Sequence, residues 1–71
     1  MRIYFWMPRS EVVYFQAIFD AYEGMGRVRT ERHDDRDRSL VLILTTPSQE
    51  KNVRDFLRHF ETEIHGQIEF V

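Results

Sequence analysis

The sequence predicts an α+β domain that contains two copies of a strand followed by a helix. Residues 1–8 (MRIYFWMP) and 39–47 (SLVLILTTP) are short, almost wholly apolar runs that each end at a proline and precede a helical pattern. Such runs are typical of strands buried on both faces. Two other segments alternate polar and apolar residues, as half-exposed edge strands do. We therefore expect two central strands, two edge strands and two helices.

The length and composition indicate one domain, residues 1–71, that gains stability by self-association. Folding a chain of 71 residues buries only about 60 to 65% of its surface, so an isolated copy is marginally stable. The chain has no cysteine, which leaves oligomerisation as the remaining source of stability. No apolar run reaches the ~18 residues of a membrane helix. We predict a cytoplasmic protein without a membrane partner.

The first strand and the first helix are both unusually apolar. In the strand, residues 2–7, either alternating set can face the core, Ile3, Phe5 and Met7 or Tyr4 and Trp6. The helix is predicted at 9–23, with Ser10 or a neighbour as its cap and Gly24 as its end. Apolar residues cover most of its circumference, whereas a surface helix needs only about 100°. The surplus is Val12, Phe15 and Phe19 or else Tyr14 and Tyr22, depending on the rotation of the helix.

The middle of the chain predicts an edge strand and a hairpin. At about 26–33, Val28 and Thr30 alternate with Arg27, Arg29 and Glu31. The charged segment 33–38 is short enough to turn the chain back into an antiparallel strand at 40–45. Its donors His33, Asp34, Asp35 and Asp37 are suited to a divalent cation, but arginines alternate with them. We therefore predict local ion pairs and no metal site.

The last third of the chain predicts an amphipathic helix and a second edge strand. Thr46-Pro47-Ser48-Gln49 has the form of a capping box that opens a helix at about 47–61. Its apolar residues follow at i, i+3, i+4 and i+7, namely Val53, Phe56, Leu57 and Phe60. The strand is predicted at 63–71, where Ile64, Ile68 and Phe70 alternate with polar residues.

The order β-α-β-β-α-β with right-handed crossovers predicts a ferredoxin-like fold. This is a four-stranded antiparallel sheet of order 4-1-3-2 with both helices on one face. Strands 1 and 3, which are the most apolar, take the central places in that order. We expect Leu42 and Ile43 to be buried and Arg29 and Glu69 to be exposed.

In strand order and in the glycines at 24 and 26, the chain resembles the ACT family of small regulatory domains. That family pairs through sheet or helix faces and binds amino acids near this junction. The resemblance implies a ligand site at Gly24, Met25 and Gly26. The residues themselves also fit a left-handed helix end at Gly24, with Gly26 expected to tolerate substitution better.

The segment Tyr22-Glu23-Gly24-Met25-Gly26-Arg27-Val28-Arg29-Thr30 resembles one found in a family of very short uncharacterised bacterial proteins. The resemblance covers nine residues of this chain and implies no activity.

The function predicted from the sequence is that of a regulatory module that binds a second copy or another protein. We predict no cofactor and no catalytic residues. The interface candidates are Tyr4, Trp6, Val12, Phe15, Phe19 and Tyr22. One alternative is a nucleic-acid-binding domain that uses Tyr4 and Trp6 with nearby arginines, although the net charge of −2 disfavours it. The other is a small enzyme with its site between subunits.

Overall fold

The computed structural model describes residues 1–22 and 24–71. In chain order the elements are β1 (Arg2–Pro8), α1 (Val12–Asp20), β2 (Arg27–His33), β3 (Arg38–Leu44), α2 (Glu50–Glu61) and β4 (Glu69–Phe70). The strands form one antiparallel sheet of order β2-β3-β1-β4. This is the predicted order 4-1-3-2 read from the opposite edge, so the ferredoxin-like α+β fold is confirmed.

The two central strands pair along their whole length. Seven residues of β1 pair with seven of β3, from Arg2 opposite Leu44 to Pro8 opposite Arg38. Of the two alternating sets in β1, the residues that face the helices are Ile3, Phe5 and Met7, each at most 2% exposed. Tyr4 and Trp6 consequently lie on the opposite face of the sheet. Leu42 and Ile43 are buried and Arg29 and Glu69 are exposed, as predicted.

Aromatic rings hold the helices against the sheet. Phe15 of α1 is fully buried, and its ring packs edge-on against Phe5 of β1 at 5.7 Å and Phe60 of α2 at 5.2 Å. Phe19 and Phe56 complete the cluster. Each aromatic pair adds about 0.5–1.5 kcal/mol beyond the area it buries. The cluster therefore fixes the rotation of α1 that the sequence left open.

The first helix is shorter than predicted. A 3₁₀ turn, Arg9–Glu11, precedes α1, and the Ser10 side chain does not cap it. The helix ends at Asp20, and Glu23, the last residue of the predicted range, lies outside the described residues. Gly24 has a φ of +86°, the left-handed conformation expected after the helix end.

The second helix also follows a 3₁₀ turn, Pro47–Gln49, and the predicted capping box does not form. The Thr46 hydroxyl instead lies 3.1 Å from the Ser48 hydroxyl, and Gln49 accepts a hydrogen bond from Asn52. Because of the 3₁₀ turn, the α-helix begins only at Glu50. The residues of the predicted capping box therefore precede the helix and do not cap it.

The last strand covers Glu69–Phe70, much less than the predicted 63–71. The backbone N–H of Ile68 donates a hydrogen bond to the Glu61 carboxylate at 2.5 Å. This contact ties the segment after α2 back to the helix, so pairing with β1 starts only at Glu69. The predicted alternation of burial still holds, because Ile68 is 2% exposed while Glu69 is exposed.

Neither helix in the described ranges 1–22 and 24–71 is long and apolar enough to span a bilayer.

Candidate interaction surfaces

The sheet surface that faces away from the helices, here called the sheet face, is built from three rows of side chains. The rows run across β1, β3 and β2 and consist of Arg2, Leu44 and Arg27, of Tyr4, Leu42 and Arg29, and of Trp6, Leu40 and Arg32. Arginines thus line the β2 side, leucines the middle, and the aromatic residues the β1 side.

A β-bulge decides the charge of the third row. The register of β2 shifts between Thr30 and Arg32, so Arg32 pairs with Leu40. Strict alternation from Arg27 would have placed Glu31 there. One extra residue in a strand has this effect because it moves every later side chain to the other face. The bulge therefore places a cation where the sequence pattern predicted an anion.

Trp6 is half-buried beneath two guanidinium groups. The guanidinium carbon of Arg38 lies 4.8 Å from the centre of the indole ring, and that of Arg32 lies 5.5 Å away. Contacts of this kind contribute roughly 0.5–1 kcal/mol at exposed sites. Arg38 also forms ion pairs of 2.8 Å with Asp34 and with Glu69. Carboxylates thus hold Arg38 in place, whereas the contact observed for Arg32 is the one with the Trp6 ring.

The hairpin loop between β2 and β3 is organised by Asp34. Its carboxylate accepts hydrogen bonds from the backbone N–H groups of Arg36 and Arg38 and from the Arg38 side chain, at 2.8–2.9 Å. Partial burial raises the pKa of Asp34, but these hydrogen bonds and the charge of Arg38 outweigh it, so the pKa lies below its ordinary value. The loop carboxylate therefore serves a local ion pair, and no cluster that could hold a metal occurs among the described residues.

Leu42, the central leucine of the sheet face, is covered by its neighbours, whereas Leu44 at the end of the face is 38% exposed. Leu42 is 1% exposed although it points away from the helices. Tyr4 and Arg29 flank it in the same row. Long side chains such as arginine bury their methylene stems on apolar surface while the charged end stays in water. The sheet face is therefore not the bare apolar surface that its leucines suggested.

The outward side of α1 is the second surface and is apolar. Val13, Tyr14 and Tyr22 are 78, 51 and 53% exposed. The α1 outer face, as used below, consists of Val13, Tyr14, Ala17, Ala21 and Tyr22, all exposed. Tyr14 and Tyr22 lean towards α2, where their rings lie 5.7 and 5.2 Å from Phe60 and Phe56.

Half of the predicted interface residues lie inside the monomer. Val12, Phe15 and Phe19 are at most 6% exposed and belong to the core under α1. They were expected to meet a partner because the rotation of the helix was open, and the aromatic cluster rotates them inward. Tyr22 remains on the surface, and Tyr4 and Trp6 are half-buried on the sheet face.

The glycine junction has a structural explanation. A Cβ atom on Gly26 would run into the backbone carbonyl oxygen of Leu44, and its φ is +138°. The Thr45 hydroxyl donates a hydrogen bond to the Met25 carbonyl at 2.6 Å. Gly24 has open space around it. Gly26 is therefore the less tolerant of the two glycines, and the expectation that it would tolerate substitution better is wrong.

Two open cavities lie at the other end of the sheet, away from the glycine junction. One of about 320 Å³ is lined by residues that include Pro8, Arg36 and Gly66, and one of about 520 Å³ by residues that include Arg9 and Val13. Neither is lined by Gly24, Met25 or Gly26, so these two cavities do not add to the case for a ligand at the junction.

The sequence patterns missed one side-chain pair, His33 and Ser39. The Nδ1 atom of His33 lies 2.5 Å from the Ser39 hydroxyl oxygen, and Ser39 is fully buried. The two residues face each other across β2 and β3 because of the bulge. A buried hydroxyl needs a hydrogen-bond partner, so the pair stabilises the end of the hairpin. The signal was the polar Ser39 within an otherwise apolar central strand.

Comparison with known proteins gives a family and no function. No curated protein and no solved structure matches the chain. One family model matches residues 5–64, from the first strand to the end of the second helix, and its description is Domain of unknown function (DUF4911). The predicted likeness to an uncharacterised family is confirmed in this coarse form, while the likeness to the ACT domains stays a prediction. The chain belongs to the DUF4911 family.

Proposed function

We propose that this protein is a non-catalytic interaction module that works as a homodimer, with the α1 outer face as the contact between the two copies. The observation that carries the proposal is that the outward side of a surface helix is apolar. Val13, the most exposed of the large apolar residues on that side, is 78% exposed. An exposed helix side is normally polar, and a contiguous apolar patch marks an interaction site.

The chemistry of the α1 outer face supports a second copy as the partner. From Val12 to Phe19 the helix carries no charged side chain, and its last residue, Asp20, places one exposed carboxylate at the end of the outward side. In a two-fold symmetric interface the same patch meets itself, so a charged patch would bring like charges together. The small side chains of Ala17 and Ala21 let two helix backbones approach closely, while Tyr14 and Tyr22 supply aromatic contact area beside them. An apolar patch of this shape, with its one charged residue at the end and not at the centre, can pack against a second copy of itself.

The sheet face is less suited to self-association. It carries five arginines, Arg2, Arg27, Arg29, Arg32 and Arg38, against the three carboxylates Glu31, Asp34 and Glu69. Two copies joined there would each present an excess of two positive charges to the other. Its central leucine, Leu42, is already buried within one copy, and apolar area remains at one end, where Leu44 is 38% exposed.

A stable dimer buries about 800 Å² on each partner. The α1 outer face spans a helix of only nine residues and the two residues that follow it, so the polar residues around it must contribute the rim. The expected interface has an apolar centre on α1 and a polar rim supplied by its neighbours, which is the usual arrangement.

Sedimentation velocity across the micromolar range tests the proposal. We expect the wild type to sediment with twice the 8.7 kDa mass of one chain. Ala17→Arg places a charge in the centre of the proposed contact and should yield a monomer. Asn52→Arg adds the same charge to the exposed side of α2 and should remain a dimer. A wild type that is monomeric throughout would contradict homodimer formation, and a dimeric Ala17→Arg variant would place the contact elsewhere.

A further inference from the structure

We infer that the sheet face is a binding site for single-stranded nucleic acid, with Trp6 stacking a base and Arg2, Arg27 and Arg32 contacting phosphates. The inference rests on the sheet face alone and does not depend on dimer formation through α1. The two surfaces lie on opposite layers of the fold, so one can be occupied while the other is free.

The first observation is the separation of charge between the two sides of the molecule. The sheet face holds five of the ten basic residues but only three of the twelve acidic ones, Glu31, Asp34 and Glu69. The rest of the chain is left with five basic and nine acidic residues. The net charge of −2 therefore combines a sheet face of +2 with a remainder of −4. A polyanion would be attracted to the first and repelled by the second.

The second observation is that several of these arginines have no carboxylate partner among the described residues. Arg29 is paired with Glu31 and Arg38 with Asp34 and Glu69. Arg2, Arg27 and Arg32 form no such pair with residues 1–22 or 24–71. Three guanidinium groups on one face are thus free to contact phosphates, and planar guanidinium groups match phosphate oxygens in two-point contacts.

The third observation is the position of the aromatic residues. Tyr4 and Trp6 occupy alternate positions of the central strand β1, opposite the arginine side of β2. Sites for single strands combine this arrangement of a positive groove for the backbone with aromatic side chains for the bases. An acidic peptide would use the arginines but would gain little from the two aromatic rings. The sheet face therefore favours nucleic acid over an acidic protein segment.

The contacts of Trp6 suggest how the site opens. Arg38 is held by two carboxylates at 2.8 Å, whereas Arg32 lies 5.5 Å from the ring centre and forms the looser contact. When a strand binds, the Arg32 guanidinium moves from the ring to a phosphate, and a base takes its place against the indole. No bond is made or broken in this exchange. The base stacked on the indole ring thus replaces the contact between that ring and the Arg32 guanidinium.

Trp6 is the only tryptophan of the chain, so its fluorescence reports directly on the sheet face. Titration with a short oligouridylate should quench the fluorescence in a saturable manner. If three phosphates are contacted, the affinity should fall about 20-fold between 50 and 200 mM salt. Absence of quenching at low salt would overturn the proposal. Polyglutamate that quenches as strongly as the oligonucleotide would overturn it in favour of an acidic protein partner.

A pair of charge-matched variants separates the sheet face from general electrostatic attraction. The Arg27→Gln/Arg32→Gln variant removes two phosphate contacts, so the slope of log affinity against log salt should decrease by about 1.4. Arg9→Gln/Lys51→Gln removes the same charge from the helical side and should bind like the wild type. Equal weakening of oligouridylate binding in both variants would contradict the proposed stacking site. Inorganic polyphosphate that binds as tightly as the oligonucleotide without changing the Trp6 fluorescence would contradict it as well.

Discussion

The two helices lie on the same face of the same sheet, yet the sides that they expose to solvent differ in polarity. Each buries three residues in the core, Val12, Phe15 and Phe19 in α1 and Val53, Leu57 and Phe60 in α2. The outward side of α2 carries the ion pairs Lys51–Asp55, Glu50–Arg54 and Arg58–Glu61. The outward side of α1 has Val13, Tyr14 and Ala17 in the equivalent place, with one charged residue, Asp20, at its end. Equal inner faces with unequal outer faces are what we expect if α1 packs against a second copy.

The largest expected effects are on the inner faces, where the helices should behave alike. Phe15→Ala and Leu57→Ala each empty a fully buried site. We expect losses of about 3–5 kcal/mol for Phe15→Ala and about 2–5 kcal/mol for Leu57→Ala, measured by urea unfolding. In a 71-residue domain, losses of this size leave little folded protein. A loss below about 1 kcal/mol at Phe15 would show that α1 is not packed on the sheet as described.

The glycine junction after α1 should give the next largest effect. Gly26→Ala combines a positive φ with a collision against the Leu44 carbonyl, so we expect it to be more destabilising than Gly24→Ala. For Gly24, where space is open, the cost of the left-handed conformation is about 1–2 kcal/mol. Thermal unfolding of both variants provides the comparison. Equal stability of the two variants would mean that the chain can shift away from β3 at Gly26.

The outer faces should differ in how stability depends on concentration. A dimer is stabilised by mass action, so the melting temperature of the wild type should rise by several degrees across a hundredfold increase in protein concentration. Val13→Gln should reduce this rise because it removes apolar contact area. Asn52→Gln on the exposed side of α2 serves as the control and should leave the rise intact. If the melting temperature of the wild type did not depend on protein concentration, no dimer would form, and the outer face of α1 would not differ from that of α2 in this respect.

The smallest effect is on the ion pairs of α2. A double-mutant cycle with Glu50→Gln and Arg54→Gln should give a coupling of about 0.3–0.5 kcal/mol, which shrinks in high salt. Association through the apolar side of α1 should not weaken with salt. A coupling in α2 that weakens with salt, together with dimer association that does not, would support the difference between the two outer faces. Weakening of the dimer in parallel with the ion pairs would indicate a polar interface.

The arrangement of the strands could be predicted because each strand carries the signature of its own environment. Strands β1 and β3 are apolar at consecutive positions, and β2 alternates, which is enough to place them in a ferredoxin-like sheet. The rotation of α1 could not be predicted. A helix that is apolar over most of its circumference has no sequence pattern that distinguishes its inner side, and only the aromatic cluster around Phe15 decides it.

The candidate surfaces could be predicted less well from the sequence because they depend on single contacts. The bulge near Thr30 places Arg32 beside Trp6, at the position that strict alternation would have given to Glu31, while Glu31 pairs with Arg29. The hydrogen bond from the Ile68 N–H to Glu61 shortens the last strand. Neither contact leaves a periodic signal, because each depends on where one side chain meets a distant part of the chain.

Disulfide trapping tests most directly whether α1 is the contact between two copies. The chain has no cysteine, so each introduced cysteine is the only thiol. A disulfide forms only where the two Cα atoms approach to about 4.4–6.8 Å. Near a two-fold axis on α1, at least one of Val13→Cys, Ala17→Cys and Ala21→Cys should give a covalent dimer rapidly at micromolar concentration, while Asn52→Cys on α2 should react slowly. If all three α1 variants cross-link no faster than Asn52→Cys, the two copies do not meet through α1.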